Sequence, residues 1–241
     1  MFGWAGKIIS VDLTSGNIEF LDTKDYSEKY IGGLGIGQKL YWDMASGKAD
    51  ALDPDNPLIL MTGPLAGTKS PSAPRLLACG KSPCIYPETF VNANMGGHIA
   101  VDLKKSGYDG IIIKGRAKNP VYLSIEDETV EIKDAGHLWG LGNFKTREIL
   151  HDEYSSKHSI LSIGPAGESL TRFAILFTDE GSTASMGFGA VMGSKNLKAI
   201  TVQGTGKIAA ADDEKIKTIR TRFKAMMGEG YFHLFNNLFY N

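Results

Sequence analysis

The chain alternates short apolar runs with polar, glycine-bearing turns, and few stretches hold a helical period for more than two turns. Lys7-Ile8-Ile9-Ser10-Val11-Asp12-Leu13 and Ile18-Glu19-Phe20-Leu21, joined by Thr14-Ser15-Gly16-Asn17, predict a hairpin. A helical turn is expected at 25–30, then a glycine bend over Gly32-Gly33-Leu34-Gly35-Ile36-Gly37 and a helix near 38–45. Strands are expected at 58–62, 75–79, 110–114, 159–163, 172–177 and 199–202, with a second hairpin from 121–125 and 130–132. Helices are expected at 99–106, 143–154 and 191–196. Short strands outnumber helices and no regular strand–helix alternation appears. The prediction is therefore an α+β fold with largely antiparallel sheets, not a doubly wound one.

The pattern also repeats. Met95-Gly96-Gly97-His98-Ile99-Ala100 leads through a Lys pair to Gly110-Ile111-Ile112-Ile113-Lys114-Gly115. Likewise, Met186-Gly187-Phe188-Gly189-Ala190-Val191 leads through a Lys pair to Ala199-Ile200-Thr201-Val202-Gln203-Gly204. Upstream of each copy, an apolar run ends in Gly-Pro, at Gly63-Pro64 and Gly164-Pro165. An internal duplication follows: two related sheet halves with short helices, whose glycine clusters form two half-sites facing one large ligand across a pseudo-twofold axis.

Beyond Gly204 the character changes. Ala211-Asp212-Asp213-Glu214 opens a helix with basic residues Lys217, Arg220, Arg222 and Lys224 later, as the helix dipole favours. Ile216, Ile219, Phe223 and Met226 form its apolar stripe. The aromatic stretch 231–241 has no evident partner. Residues 1–205 are expected to form one unit, and 206–241 to be the start of a further domain or an aberrant tail.

A net charge of −1 over 241 residues gives no field to attract nucleic acid or an anionic membrane. No run approaches the ~20 apolar residues of a membrane span, so a cytoplasmic protein is expected. Cys79 and Cys84 are too few for a disulfide framework and are read as buried free thiols. The five histidines (98, 137, 151, 158 and 233) are scattered without paired carboxylates and read as surface or core residues, so no metal ligands are assigned. No nucleophile or general base is legible, and no catalytic residue is assigned.

Three motifs carry candidate chemistry. Gly33-Leu34-Gly35-Ile36-Gly37 lacks a leading strand and has Gln38 where a dinucleotide fingerprint needs its third glycine, which rejects that reading. Arg75, following Ser72-Ala73-Pro74, either caps a loop or offers its planar fork to a phosphate or heterocycle edge. Asn92-Ala93-Asn94-Met95-Gly96-Gly97-His98 is either a tight turn or an anion-binding nest supplemented by amides. Its echo at Ser182-Thr183-Ala184-Ser185-Met186-Gly187 returns hydroxyls and a glycine at the matching place.

The ordered set of motifs resembles the N-terminal domain of the aldehyde ferredoxin oxidoreductase family, the tungsten or molybdenum bis-pterin enzymes. The resemblance runs from Gly6-Lys7 and Val11-Asp12-Leu13-Thr14-Ser15-Gly16 through Gly63-Pro64-Leu65-Ala66-Gly67-Thr68 and Lys81-Ser82-Pro83. It continues through Asn94-Met95-Gly96-Gly97, Gly107-Tyr108-Asp109 and Ile163-Gly164-Pro165-Ala166-Gly167-Glu168 to the run Gly189-Ala190-Val191-Met192-Gly193-Ser194-Lys195-Asn196-Leu197-Lys198-Ala199-Ile200.

The resemblance implies a base of two sheet halves, each contacting one pterin. Arg75 would lie between pterin and iron–sulfur cluster, with Asn94, Gly96 and Gly97 at the first pterin and its phosphate. Ser182, Thr183, Ser185 and Gly187 would form the second half-site, in a run where many relatives carry arginines.

The same resemblance implies that the complete enzyme oxidises an aldehyde with water to a carboxylic acid, passing electrons through a 4Fe–4S cluster to ferredoxin. The cluster cysteines would lie in C-terminal domains or a separate catalytic chain, since Cys79 and Cys84 cannot supply four ligands. This chain alone is expected to be inactive, and self-association into a homo-oligomer is a further expectation. The alternative is a non-catalytic binding or assembly module that pairs with a separate catalytic chain.

Overall fold

The structure is a computed structural model that describes residues 2–227; His233 and the aromatic stretch 231–241 lie outside the described residues. Two six-stranded mixed sheets make up the frame. The first contains β1 (Lys7–Asp12), β2 (Asn17–Asp22), β3 (Leu58–Thr62), β4 (Leu76–Ser82), β5 (Thr89–Met95) and β6 (Tyr108–Lys114). The second contains β7 (Val121–Glu126), β8 (Thr129–Asp134), β9 (Ser159–Ser162), β10 (Leu176–Thr178), β11 (Thr183–Ala184) and β12 (Leu197–Gln203).

Their orders are β2-β1-β6-β3-β4-β5 and β8-β7-β12-β9-β10-β11, one topology used twice. In each sheet one pairing is parallel, β1 with β6 and β7 with β12, and the others are antiparallel. The duplication is thus larger than the motifs imply, because the two hairpins β1–β2 and β7–β8 are themselves equivalent. Their sequences, KIISVD and VYLSIE, share only the serine at the fourth place and a buried apolar run around it.

Helices α1 (Lys24–Tyr30), α2 (Leu34–Met44), α3 (Ile99–Lys105), α4 (Asn143–Glu153), α5 (Pro165–Glu168), α6 (Phe188–Ser194) and α7 (Asp213–Met227) complete the described residues. The main core lies between the sheets: Ile9, Leu60 and Ile111 meet Leu161, Ile200 and Val202 through α3 and α6. Each of these helices packs reciprocally, α3 on β9 and β12 of the other half, α6 on β3 and β4. On the outer faces, α2 covers Ile8, Ile59 and Ile112, while α4 covers Tyr122, Ile160 and Ala199. Leu58–Met61 of β3 and Ile111–Ile113 of β6 therefore read as apolar runs, since both faces are buried.

Several local expectations change. The glycines at 35 and 37 lie inside α2, not in a bend before it. A Cβ at Gly35 would strike the Tyr30 carbonyl, and one at Gly37 would sit 2.8 Å from Cys79 Sγ, so these glycines permit close packing. Thr89–Met95 is a strand, so Asn92 and Asn94 project from sheet backbone and only Gly96–His98 turns. Pro165–Glu168 is a helical turn with proline at its start. Cys79 is buried, but Cys84 is exposed. Helix α7 forms as expected, yet it buries no residue, and Ile219 and Met226 stay exposed. None of the described helices is long and apolar enough to cross a membrane.

Candidate functional site

Strands β5 and β11 are equivalent edge strands of the two sheets, and they lie against each other. The loops that leave them therefore meet. Ser182 Oγ accepts the Gly96 N–H at 2.7 Å, and the Glu180 carboxylate accepts the His98 N–H at 2.9 and 2.7 Å through its two oxygens. A Cβ at Gly96 would lie 3.3 Å from Arg75 Nη1 and 3.4 Å from Ser182 Oγ. At Gly97, held at φ 93°, a Cβ would run into the Glu180 carboxylate. Glycine is required there both by the left-handed backbone and by the space.

Arg75, at the mouth of β4, is exposed, with its guanidinium over this junction. Asn92 and Asn94 alternate with buried or half-buried neighbours on β5, so their amides lie on the exposed face of the strand. Thr183 and Ser185 are exposed on the β11 side, Ser182 is half-buried in the junction, and Gly187 is buried at the entry to α6. Structure thus brings Arg75, Gly96, Gly97 and Ser182 together, with Asn94, Thr183 and Ser185 at the flanks. Gly187 serves packing: φ is 73°, and a Cβ would meet the Arg172 carbonyl and Pro83.

The register of the echo also differs from the sequence match. Ile99 and Phe188 open equivalent helices, so Gly97 corresponds to Met186; both have positive φ, 93° and 62°. A methionine in that conformation is sterically unfavourable, and it is held there by the Ser82 hydroxyl, which donates to the Met186 carbonyl at 2.8 Å.

A second link joins the halves nearby. Arg172 Nε donates to the Pro83 carbonyl at 2.7 Å and Nη2 to Glu88 at 2.6 Å, while Cys84 Sγ contacts the Arg172 carbonyl at 2.9 Å. Arg172 and Arg147, which donates to the Asp179 carbonyl at 2.6 Å, are thus engaged structurally beside the second half-site, and the residues exposed there are Thr183 and Ser185.

Behind the Glu180 contact lies a cleft of about 650 Å³, lined among others by His98, Asp102, His151, His158, Asp179 and Glu180. Burial pushes the Asp102, Asp179 and Glu180 carboxyls up and the His158 imidazole down, away from their charged forms. His158 Nε2 and Asp179 Oδ1 are buried there without a hydrogen-bond partner among the described residues. His98 closes the predicted Asn92–His98 motif, whereas its partner Glu180 is not legible as a site residue, because nothing in the local sequence signals a contact 82 positions apart. Among the described residues no group of three His, Cys, Asp or Glu side chains is placed to hold a metal ion.

Comparison with known proteins places this geometry in a family. A family model described as "Aldehyde ferredoxin oxidoreductase, N-terminal domain" matches residues 8–204. The tungsten-containing aldehyde ferredoxin oxidoreductase of Pyrococcus abyssi is 42% identical over 230 residues, 94% of this chain and 38% of that protein. An aliphatic sulfonate oxidoreductase, WOR-like subunit, of Pyrococcus furiosus is 36% identical over 242 residues, 92% of this chain and 38% of the other.

Among solved structures, the active site complex BamBC of benzoyl coenzyme A reductase with 1,5-dienoyl-CoA superposes with a TM-score of 0.85 at 37% identity, over 89% of this chain and 33% of that one. The chain spans well under half the length of each of these relatives. Residues 8–204 are therefore an aldehyde ferredoxin oxidoreductase N-terminal domain, and the chain belongs to that family.

Proposed function

We propose that the chain is the cofactor-binding N-terminal part of an aldehyde:ferredoxin oxidoreductase-type enzyme, with the loops at 94–97 and 182–187 holding a tungsten or molybdenum bis-pterin between them. The observation that supports this most is the junction of the two half-sites, where Gly96 N–H meets Ser182 Oγ at 2.7 Å beneath Arg75. The donor set fits such a group: a guanidinium for phosphate or ring edge, exposed amides at 92 and 94, and hydroxyls at 183 and 185. Gly96 leaves open the space that a side chain would fill against Arg75.

When bound, the metal–pterin group supplies two-electron redox chemistry, converting an aldehyde and water to a carboxylic acid in the complete enzyme. The chain's own residues bind and orient. Arg75 offers parallel N–H donors to an anionic or heteroaromatic edge. Asn94 fixes orientation through an amide that both donates and accepts. Arg75 at the start of β4 and Asn94 on β5 are placed by the pairing of those two strands.

A 4Fe–4S cluster and the route to ferredoxin are assigned to residues beyond this chain, in a longer polypeptide or a separate catalytic subunit. Cys79 is buried beneath α2, with its thiol pushed up to about 12 by burial, and Cys84 stands alone at the surface. Substrate selection is likewise assigned outside these residues.

Metal analysis of the protein, isolated with its remaining domains or partner from cells supplied with tungstate and molybdate, tests the reading. Near-stoichiometric tungsten or molybdenum is expected. Absence of both overturns it.

A further inference from the structure

The first half-site's loop is not shaped by its own half alone. Its backbone is gripped by the turn that follows β10 in the other half. Glu180 places both carboxylate oxygens on the His98 N–H at 2.9 and 2.7 Å, and Ser182 takes the Gly96 N–H at 2.7 Å. Between them Gly97 leaves the space into which the carboxylate fits, with Thr178 Oγ1 3.4 Å from where its Cβ would be. Ser182 N–H in turn donates to Thr178 Oγ1 at 3.2 Å, and Thr178 N–H to the Ser182 carbonyl at 2.8 Å, so the gripping turn is itself closed.

These two contacts fix the orientation of the Met95–Gly96 and Gly97–His98 peptides. That orientation sets where the Gly96–His98 backbone stands relative to Arg75, while Asn94 is placed by its pairing with Leu77 in β4. Placing this device in the second half couples the two half-sites: the Gly96–His98 turn keeps these contacts only while β5 and β11 are docked.

We propose that Glu180 is a positioning residue for cofactor binding, acting through the His98 and Gly96–Gly97 backbone to set the first half-site and to tie its formation to the second. This rests on the cofactor reading above. Glu180 touches the loop from behind, on the side of the 650 Å³ cleft, and orients donors it does not itself supply.

The test uses the full protein with whatever completes it, in wild-type form and as Glu180→Ala, Glu180→Gln and Ser182→Ala. Amide hydrogen exchange over residues 94–101 and metal content are measured on the same samples. Loss of a charge-assisted contact predicts that Glu180→Ala exchanges about tenfold or more faster at 96–98. Core amides of β6 should be unchanged, and the bound tungsten or molybdenum should fall with the loop protection. Glu180→Gln keeps an acceptor oxygen for the His98 N–H and should restore most of both; Ser182→Ala should loosen Gly96 alone.

If Glu180→Ala leaves exchange at 96–98 at the wild-type rate, or loosens it without loss of metal, the positioning role is overturned while the cofactor reading stands. If the wild-type protein carries neither metal, the cofactor reading fails and the positioning role with it. The exchange data then show only a structural contact.

Discussion

Asp109 and Lys198 occupy the same β-bulge in the two halves and carry opposite charges. In β6 the register with β1 passes from Tyr108 to Gly110, skipping Asp109; in β12 the register with β7 passes from Leu197 to Ala199, skipping Lys198. Both are fully enclosed, and each gathers the chain at one end of its sheet. Asp109 accepts from Ala5 and Gly6 N–H, Thr23 Oγ1 and Lys104 Nζ, the last at 2.5 Å. Lys198 donates to the Leu141 and Ile163 carbonyls at 2.6 and 2.8 Å and to the Glu168 carboxylate. A bulge frees one residue from the ladder. The duplicated fold uses that freed position for a buried ion, with its sign reversed to suit the loops beneath.

Removing one member of such a pair leaves an uncompensated buried charge. Lys104→Met and Glu168→Ala should each destabilise by about 3–5 kcal/mol. Asp109→Ala should cost at least as much, since it also releases Ala5, Gly6 and Thr23. The double variant Lys104→Met/Asp109→Ala should lose less than the sum of the singles. Denaturant unfolding of the four proteins checks this through the coupling term.

Helices α5 and α6 touch through glycine. A Cβ at Gly193 would strike the Gly167 carbonyl, and one at Gly167 would lie 2.8 Å from the Gly189 carbonyl. Gly193→Ala should destabilise by about 1–3 kcal/mol through overpacking, although alanine is the better helix former. Gly47→Ala, where a Cβ meets nothing within 4 Å, is the control and should stay near wild type in a thermal melt.

Lys195 is fully buried with Nζ on the Pro54 carbonyl at 3.0 Å, and burial lowers its pKa to about 7. The sign follows from linkage. Between about pH 7 and 10.5 the unfolded chain holds a proton on this amine that the folded chain does not, so this group makes stability rise with pH across that window. Below about pH 7 its unfavourable contribution is constant. Relative to wild type, Lys195→Met should therefore be most favourable near pH 6.5. That relative advantage should shrink by about 1 kcal/mol per pH unit toward pH 9. Paired unfolding curves at three pH values decide it; a difference independent of pH would contradict this assignment.

Arg75 should not tolerate lysine. A point ammonium cannot reproduce a planar fork, so Arg75→Lys and Arg75→Ala should both release cofactor at least about tenfold more readily. Because Arg75 is exposed and buries nothing, both should melt within about 0.5 kcal/mol of wild type. Metal retention after dialysis, set beside a melt, separates binding from stability.

Much of this architecture was legible because the central strands are apolar on both faces and their turns carry glycine. The motif echo made the duplication visible, but only around the crossover helices. The equivalence of the two hairpins is not legible, since it resides in strand order and register more than in residue identity. Strand β5 was hidden by its two asparagines, residues of low strand propensity, whose amides lie on its exposed face at the half-site. Strand β11 has two residues, too few for any period to show. Arg75, Gly96, Gly97 and Ser182 were found as candidates by residue chemistry, whereas Glu180 acts only through a tertiary contact that no local pattern encodes.

The proposed function requires one bulky anionic group between the edge strands of the two duplicated halves. Anomalous scattering at the tungsten and molybdenum edges, from crystals of the protein with its remaining domains or partner, tests it most directly. The account predicts a single metal peak facing the β5–β11 junction, with continuous ligand density touching both the Asn94–Gly97 loop and the 182–185 turn. A metal peak remote from that junction, or ligand density on one half alone, would contradict it.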